Sequence, residues 1–205
     1  MRVTETALPG VLLLEPRVFR DPRGAFLEVW QQERYAGLGI APTFVQDNVS
    51  RSAAGVLRGL HVQYPQSQGK LVSVLRGTVL DVAVDVRVGS PTFGRSVARE
   101  LSDDNRQQLW IPAGFAHGFV VTSEEAIFSY KCTDVYDAAA ELSVRWDDPA
   151  LGIEWPLRDP IVSPKDAAAP TLAEALAAGR LPRYAPSTAV AEPLDPDVLP
   201  ALAEH

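Results

Sequence analysis

A run of strict alternation near the middle of the chain constrains the fold most. Leu80, Val82, Val84 and Val86 fall on one side, and Asp81, Ala83, Asp85 and Arg87 on the other. A period of two sustained from residue 80 to 87 predicts a half-buried strand, and no helix satisfies it. Arg76-Gly77-Thr78 just before it reads as a hairpin turn, with residues 71–75 as the preceding strand. Further short candidates follow at 96–101, 108–111, 118–122 and 126–133. Turn-formers separate them: Gly89-Ser90-Pro91, Ser102-Asp103-Asp104-Asn105, Pro112-Ala113-Gly114 and Ser123-Glu124-Glu125. Many short strands at such spacing predict an all-β barrel or jelly roll.

Helix signals come late. Thr171-Leu172-Ala173-Glu174 has the form of a capping box and opens a short helix that should stop near Gly179. Of 17 prolines, 10 lie from Pro149 onward, which predicts loops and short helices wrapped on a barrel. The expected organisation is one domain over 1–185 and a poorly ordered tail over 186–205, where Ala, Pro, Glu and Asp recur without a period. No apolar run approaches the roughly 20 residues of a membrane span, and Met1-Arg2-Val3-Thr4-Glu5 opens no signal peptide. Cys132 is the single cysteine, so no intramolecular disulfide can form, and a cytoplasmic location is expected. The net charge of −7 argues against nucleic-acid partners, which need a basic footprint.

Chemistry concentrates around two of the three histidines. His61 lies in Arg58-Gly59-Leu60-His61, and His117 in Pro112-Ala113-Gly114-Phe115-Ala116-His117-Gly118-Phe119. Taken alone, either is more often structural than catalytic. Together with their surroundings they resemble the two cupin motifs. Gly55 to His61 matches the opening of the first, Lys70 to Gly77 its close, and Pro112-x-Gly114-x-x-His117 the second. Metal-binding cupins carry a second histidine and a glutamate where this chain has Gln63 and Lys70. Neither suits a divalent transition metal, so the expectation is a cupin-type jelly-roll β-barrel with no metal and no cofactor.

A finer resemblance is to one cupin family, the dTDP-4-dehydrorhamnose 3,5-epimerases. It rests on Phe26-Leu27-Glu28-Val29-Trp30, Phe44-Val45-Gln46-Asp47-Asn48, residues 55–61, Gly69-Lys70-Leu71-Val72, residues 89–94, residues 108–119, Tyr130-Lys131 and residues 146–156. Val49 and Val62 depart from the residues common in that family. The resemblance implies a dTDP-4-keto-6-deoxyhexose as substrate and a homodimer as the working unit. It implies inversion at C3 and C5, whose protons the C4 ketone acidifies. His61 would be the base, since a free imidazole accepts a proton near neutral pH. Asp166 would orient it, Lys70 would stabilise the enolate oxygen, and Tyr130 would deliver a proton from the opposite face. The substrate's own carbonyl would serve as electron sink.

Substrate contacts follow from the same resemblance. Arg23, Arg58 and Lys165 are candidates for diphosphate and sugar, since guanidinium forks suit paired phosphate oxygens. Glu28, Gln46, Asn48 and Glu141 could bond thymine or sugar hydroxyls, Tyr136 could stack on thymine, and His117 could line the pocket. Each has a plainer alternative: Asp166 a turn cap, Tyr130 a core residue, Lys70 a solvated end of a strand, Arg23 and Glu28 a solvated loop. Two other functions stay open: a single-centre epimerase, and a cupin that only binds nucleotide-sugar.

Overall fold

The computed structural model describes residues 1–185. The expected tail at 186–205 lies outside the described residues. In chain order the strands are β1 (Arg2–Glu5), β2 (Leu12–Glu15), β3 (Val18–Asp21), β4 (Gly24–Leu27), β5 (Gln46–Ala53), β6 (Leu57–Gln63), β7 (Lys70–Arg76), β8 (Thr78–Asp85), β9 (Ser96–Ser102), β10 (Gln108–Ile111), β11 (Phe115–Val121), β12 (Glu125–Cys132) and β13 (Glu141–Ser143). The α-helices are short: α1 (Gln32–Ala36), α2 (Pro164–Ala167) and α3 (Leu172–Ala177).

Two sheets face each other across the core. One runs β1-β2-β10-β7-β12-β5, the other β13-β6-β11-β8-β9, and β3-β4 form a separate ribbon. This is the expected jelly-roll barrel of cupin type, with short helices after it. Between the sheets lie Val72 and Val74 of β7, Phe128 of β12, Val79 and Ala83 of β8, and Phe115 and Phe119 of β11. Phe119 and Phe128 stack across the gap with ring centroids 4.1 Å apart.

The hairpin expected at Arg76-Gly77-Thr78 is corrected by the topology. β7 pairs with β10 and β12, whereas β8 pairs with β11 and β9, so the chain changes sheets at Gly77. Gly77 has φ +81°, and a Cβ there would sit 2.0 Å from the Glu125 carbonyl oxygen. Only glycine fits this corner. The sequence pattern marked a turn correctly but could not say that its two arms join different sheets.

The alternating strand is corrected as well. β8 is buried on both faces, and Asp81 and Asp85 are fully buried. Its Val82 and Val84, expected to face a core, do so beneath a coat of Leu172, Ala175 and Leu181. Its polar face looks into the barrel. Asp85 is satisfied there by Arg87 Nη2 at 2.7 Å, Ser90 Oγ at 2.5 Å and Thr92 Oγ1 at 2.6 Å. The alternation thus separates a face sealed by the C-terminal segment from a face that holds charge inside the barrel. Its helix α3 opens with the expected capping box at Thr171 and Glu174, and the chain turns just past its end at Gly179, φ +67°. Among the described residues no helix is long and apolar enough to cross a membrane.

Candidate active site

β6 and β11 carry the two motif histidines, which are direct register partners. The motif glycines explain the closeness of these strands. A Cβ on Gly59 would lie 2.5 Å from Gly118 Cα, and one on Gly118 would lie 2.7 Å from the Arg58 carbonyl oxygen. His61 and His117 are therefore brought side by side by glycines that flank them in sequence. His117 stacks on Phe128, its ring centroid 6.0 Å away, which places this row toward the barrel interior.

Each histidine has its own carboxylate. His61 Nε2 is 2.7 Å from Asp166 Oδ1, and its side chain is 32% exposed. With Nε2–H donating to Asp166, the lone pair lies on Nδ1. Asp166 is buried, in α2, where Ser163 caps the helix by accepting from the Asp166 amide. Asp166 therefore does not act as the turn cap. Burial pushes its carboxyl up, but the bond and charge of His61 and the bonds from Ser163 and the Gly59 amide outweigh it and hold it below the usual range. His117 Nε2 is 2.8 Å from Asp81 Oδ2, and both side chains are buried. Asp81 Oδ1 is buried without a hydrogen-bond partner among the described residues. Asp81 was not among the residues expected at the site. Its place on the polar face of the alternating run was the available signal.

The opposite wall is the six-stranded sheet. Tyr130 of β12 packs with Phe128 against the interior cluster, ring centroids 6.0 Å apart. Burial pushes its phenol up and Cys132 adds to this, while the positive charge of Arg58 opposes. Lys70 opens β7, opposite Cys132 on β12 and Ile111 on β10. It is 7% exposed, not a solvated strand end. Burial lowers its ammonium pKa, and the acidic groups Cys132, Glu141 and Asp81 oppose the shift. The base candidate thus sits on one sheet, and the acid and cation candidates on the facing sheet.

A polar rim surrounds this pair of walls. Glu141 Oε2 accepts from Tyr136 Oη at 2.7 Å and from Lys165 Nζ. Burial pushes the Glu141 carboxyl up, and Lys165, Tyr136 and His61 together bring it below its ordinary value. Gln46 Nε2 donates to Asn48 Oδ1 at 3.0 Å, and Asn48 Nδ2 reaches Cys132 Sγ at 3.7 Å. Arg58 is exposed and donates to Ser52 Oγ at 3.1 Å. Two expected contacts are placed elsewhere. Arg23 sits at the tip of the β3-β4 ribbon, 85% exposed and paired with Asp21. Glu28 pairs with Arg34 at 2.7 Å. Neither is joined to His61 or Tyr130 within this chain.

The residues do not fit a metal ion. Among the described residues no group of three or more His, Cys, Asp or Glu side chains is placed to hold one. Both histidines bond a carboxylate through Nε2, and Gln63 spends its amide on Val135, Gln66 and Asp137. An ammonium at Lys70 repels a cation.

The fold is a jelly-roll barrel of cupin type, with a histidine–carboxylate pair carried by one sheet and a tyrosine and a lysine by the other. The family model described as dTDP-4-dehydrorhamnose 3,5-epimerase matches residues 5–174. The chain is 54% identical over 177 residues to a dTDP-4-dehydrorhamnose 3,5-epimerase of Pseudomonas aeruginosa, covering 85% of this chain and 98% of that protein. Identity to its Salmonella typhimurium counterpart is 55% over 179 residues, 86% and 98% of the two chains. A crystal structure of the Legionella pneumophila dTDP-6-deoxy-D-glucose-3,5-epimerase in complex with dTDP-4-keto-L-rhamnose superposes with a TM-score of 0.87 at 53% identity. It covers 90% of this chain and 98% of that one. The chain belongs to the dTDP-4-dehydrorhamnose 3,5-epimerase family.

Proposed function

We propose that this chain inverts C3 and C5 of dTDP-4-dehydro-6-deoxy-D-glucose, giving dTDP-4-dehydro-β-L-rhamnose for dTDP-L-rhamnose biosynthesis. The observation that carries the reading is the opposition of His61–Asp166 on one sheet to Tyr130 and Lys70 on the other. Inversion needs a base and an acid on opposite faces of a ring, and two facing sheets supply them.

In the first half-reaction His61 Nδ1 takes the proton from C3, and the C–H electrons move into the C4 carbonyl as an enolate. Asp166, kept anionic, stabilises the imidazolium that forms. Lys70 faces the negative oxygen, and its lowered pKa makes it a stronger hydrogen-bond donor there. Tyr130, raised by burial, holds its proton at neutral pH and gives it to the carbon from the far side. The phenolate is reprotonated from solvent and His61 returns its proton to solvent. The same steps at C5 complete the reaction. Arg58 and Lys165 take the diphosphate or sugar, Gln46, Asn48 and Glu141 the thymine or sugar hydroxyls, Tyr136 stacks on thymine, and His117 lines the pocket.

A cytoplasmic homodimer belongs to the same reading. Among the described residues the β3-β4 ribbon pairs with no other strand, and it carries the exposed Arg23 and a 67% exposed Phe26. A second copy would bring Arg23 and Glu28 to a site that lacks them.

Incubation with the dTDP-4-keto sugar in heavy water tests the function. Deuterium should enter product at both C3 and C5. Incorporation at one carbon only would make it a single-centre epimerase, and none at either would leave a nucleotide-sugar binder.

A further inference from the structure

We infer that Gln63 is a positioning residue for the nucleotide: with Gln68 and Gln46 it clamps the backbone of residues 134–137 and so holds the exposed ring of Tyr136 ready for a flat base. The inference rests on the proposed nucleotide-sugar reading and concerns a residue outside its acid–base groups.

Four consecutive residues between β12 and β13 are each held by a glutamine amide. Gln68 Nε2 donates to the Asp134 carbonyl at 2.9 Å. Gln63 Nε2 donates to the Val135 carbonyl at 3.0 Å, and Gln63 Oε1 accepts from the Asp137 amide at 2.9 Å. Gln46 Oε1 accepts from the Tyr136 amide at 2.8 Å. The second hydrogen of Gln63 Nε2 goes to the Gln66 carbonyl at 2.7 Å. Gln63 is 3% exposed and Gln68 8%, so their bonds are largely sheltered from water, whereas the Gln46 bond lies at the surface.

The side chains on the clamped segment point the other way in character. Val135 is 55% exposed and Tyr136 54%. Segments with such exposed side chains are ordinarily mobile, and ordering one on binding costs affinity. Here the ordering is accomplished on folding, by amides from β6, β5 and the loop before β7. Gln63 itself has no polar atom left for a ligand. Its two donors and its carbonyl oxygen are all engaged, a pattern that neither a carboxylate nor an imidazole reproduces. Gln63 lies two residues beyond His61 on the same face of β6. One strand therefore carries the base and fixes the platform for the other end of the substrate. The position that resembles a metal ligand in other cupins serves here as a backbone clamp.

The test is dTDP binding by calorimetry with steady-state kinetics on the full chain. Gln63→Met keeps the length and removes every hydrogen bond. Expected is a rise in Kd for dTDP of about 5- to 20-fold, the scale of one or two lost buried hydrogen bonds. KM should rise in step while kcat stays within about threefold, since uniform binding is what is lost. In a Tyr136→Ala background Gln63→Met should add less than about twofold, because both act through one ring. Gln68→Met should shift Kd in the same direction by less, and it carries the test if Gln63→Met does not fold. Unchanged dTDP affinity in the folded variants, or full additivity with Tyr136→Ala, overturns the clamp. Parent protein that does not bind dTDP overturns the nucleotide reading and the clamp with it, whereas a binding parent with indifferent variants overturns the clamp alone.

Discussion

The barrel contains two histidine–aspartate pairs on neighbouring strands, and they differ in what surrounds them. In the first, His61 is 32% exposed and its Asp166 comes from a short helix far along the chain. In the second, His117 is 8% exposed and its Asp81 lies fully buried on the adjacent strand β8. Chemically they are the same pair. The open one can exchange protons with a ligand, and the closed one can only present a fixed, polarised ring. On the proposed reading, position relative to solvent and not residue type separates their roles.

Substituting His61 is the strongest attempt to break this contrast. His61→Ala should lower turnover by about 10²–10⁴-fold and abolish exchange at both carbons while dTDP still binds. Turnover near the parent level would move the base elsewhere, His117 first.

Asp166→Asn should come next, with turnover down on the order of 10²-fold, because the imidazolium loses its counter-charge. It also has a pH signature. The Asp166 carboxyl is held below its ordinary value, so the unfolded chain binds the proton more readily. Its contribution to stability is therefore complete above the free aspartate value of about 3.9 and is lost as pH falls through the lower folded value. Melting temperature followed from pH 6 down to pH 2 (roughly the range in which carboxylates titrate) should show a shallower acid decline in Asp166→Asn than in the parent. Superimposable curves would contradict the assignment.

Tyr130→Phe separates removal of the proton from its return. Deuterium should still enter recovered substrate from heavy water, by recapture on the original face, while inverted product falls by about 10²-fold. Inverted product at the parent rate would make the tyrosine a packing residue.

Asp81→Asn sharpens the comparison from the closed side. The amide oxygen can still accept from His117 Nε2, so the bond is kept while the charge is lost and an NH2 group takes the place of the unpartnered Oδ1. Turnover should fall by less than about tenfold, well short of Asp166→Asn. An equal or larger loss would mean that the buried pair takes part in proton transfer. The smallest effect expected is none: activity should survive exhaustive chelation, and restoration by one metal after a loss would refute a metal-free site.

Much of the site could be read in the sequence, and the gaps have a common cause. Lys70, Tyr130 and His61 stand in recognisable motifs, and the structure carries His61 on one sheet and the other two on the sheet opposite. Asp81 went unnoticed because an aspartate on an alternating strand reads as a solvent face. Only the coat formed by Leu172, Ala175 and Leu181 reverses that, by burying the apolar side and leaving the polar side to face inward. Arg23 and Glu28 are a different case: within one chain Arg23 lies at the solvent-exposed tip of the β3-β4 ribbon and Glu28 pairs with Arg34, so one chain alone does not join them to the barrel site.

By itself the sequence determined what depends on neighbours along the chain. That covers the period of β8, Gly77 as a turn, and the capping box of α3. Tertiary structure alone decided which sheet each strand joined and which carboxylate each histidine met. His61 finds Asp166 across 105 residues and His117 finds Asp81 across 36. A period of two states which side a residue takes, but not what covers that side. Partners so distant in sequence are chosen by strand order and burial, which no local pattern encodes.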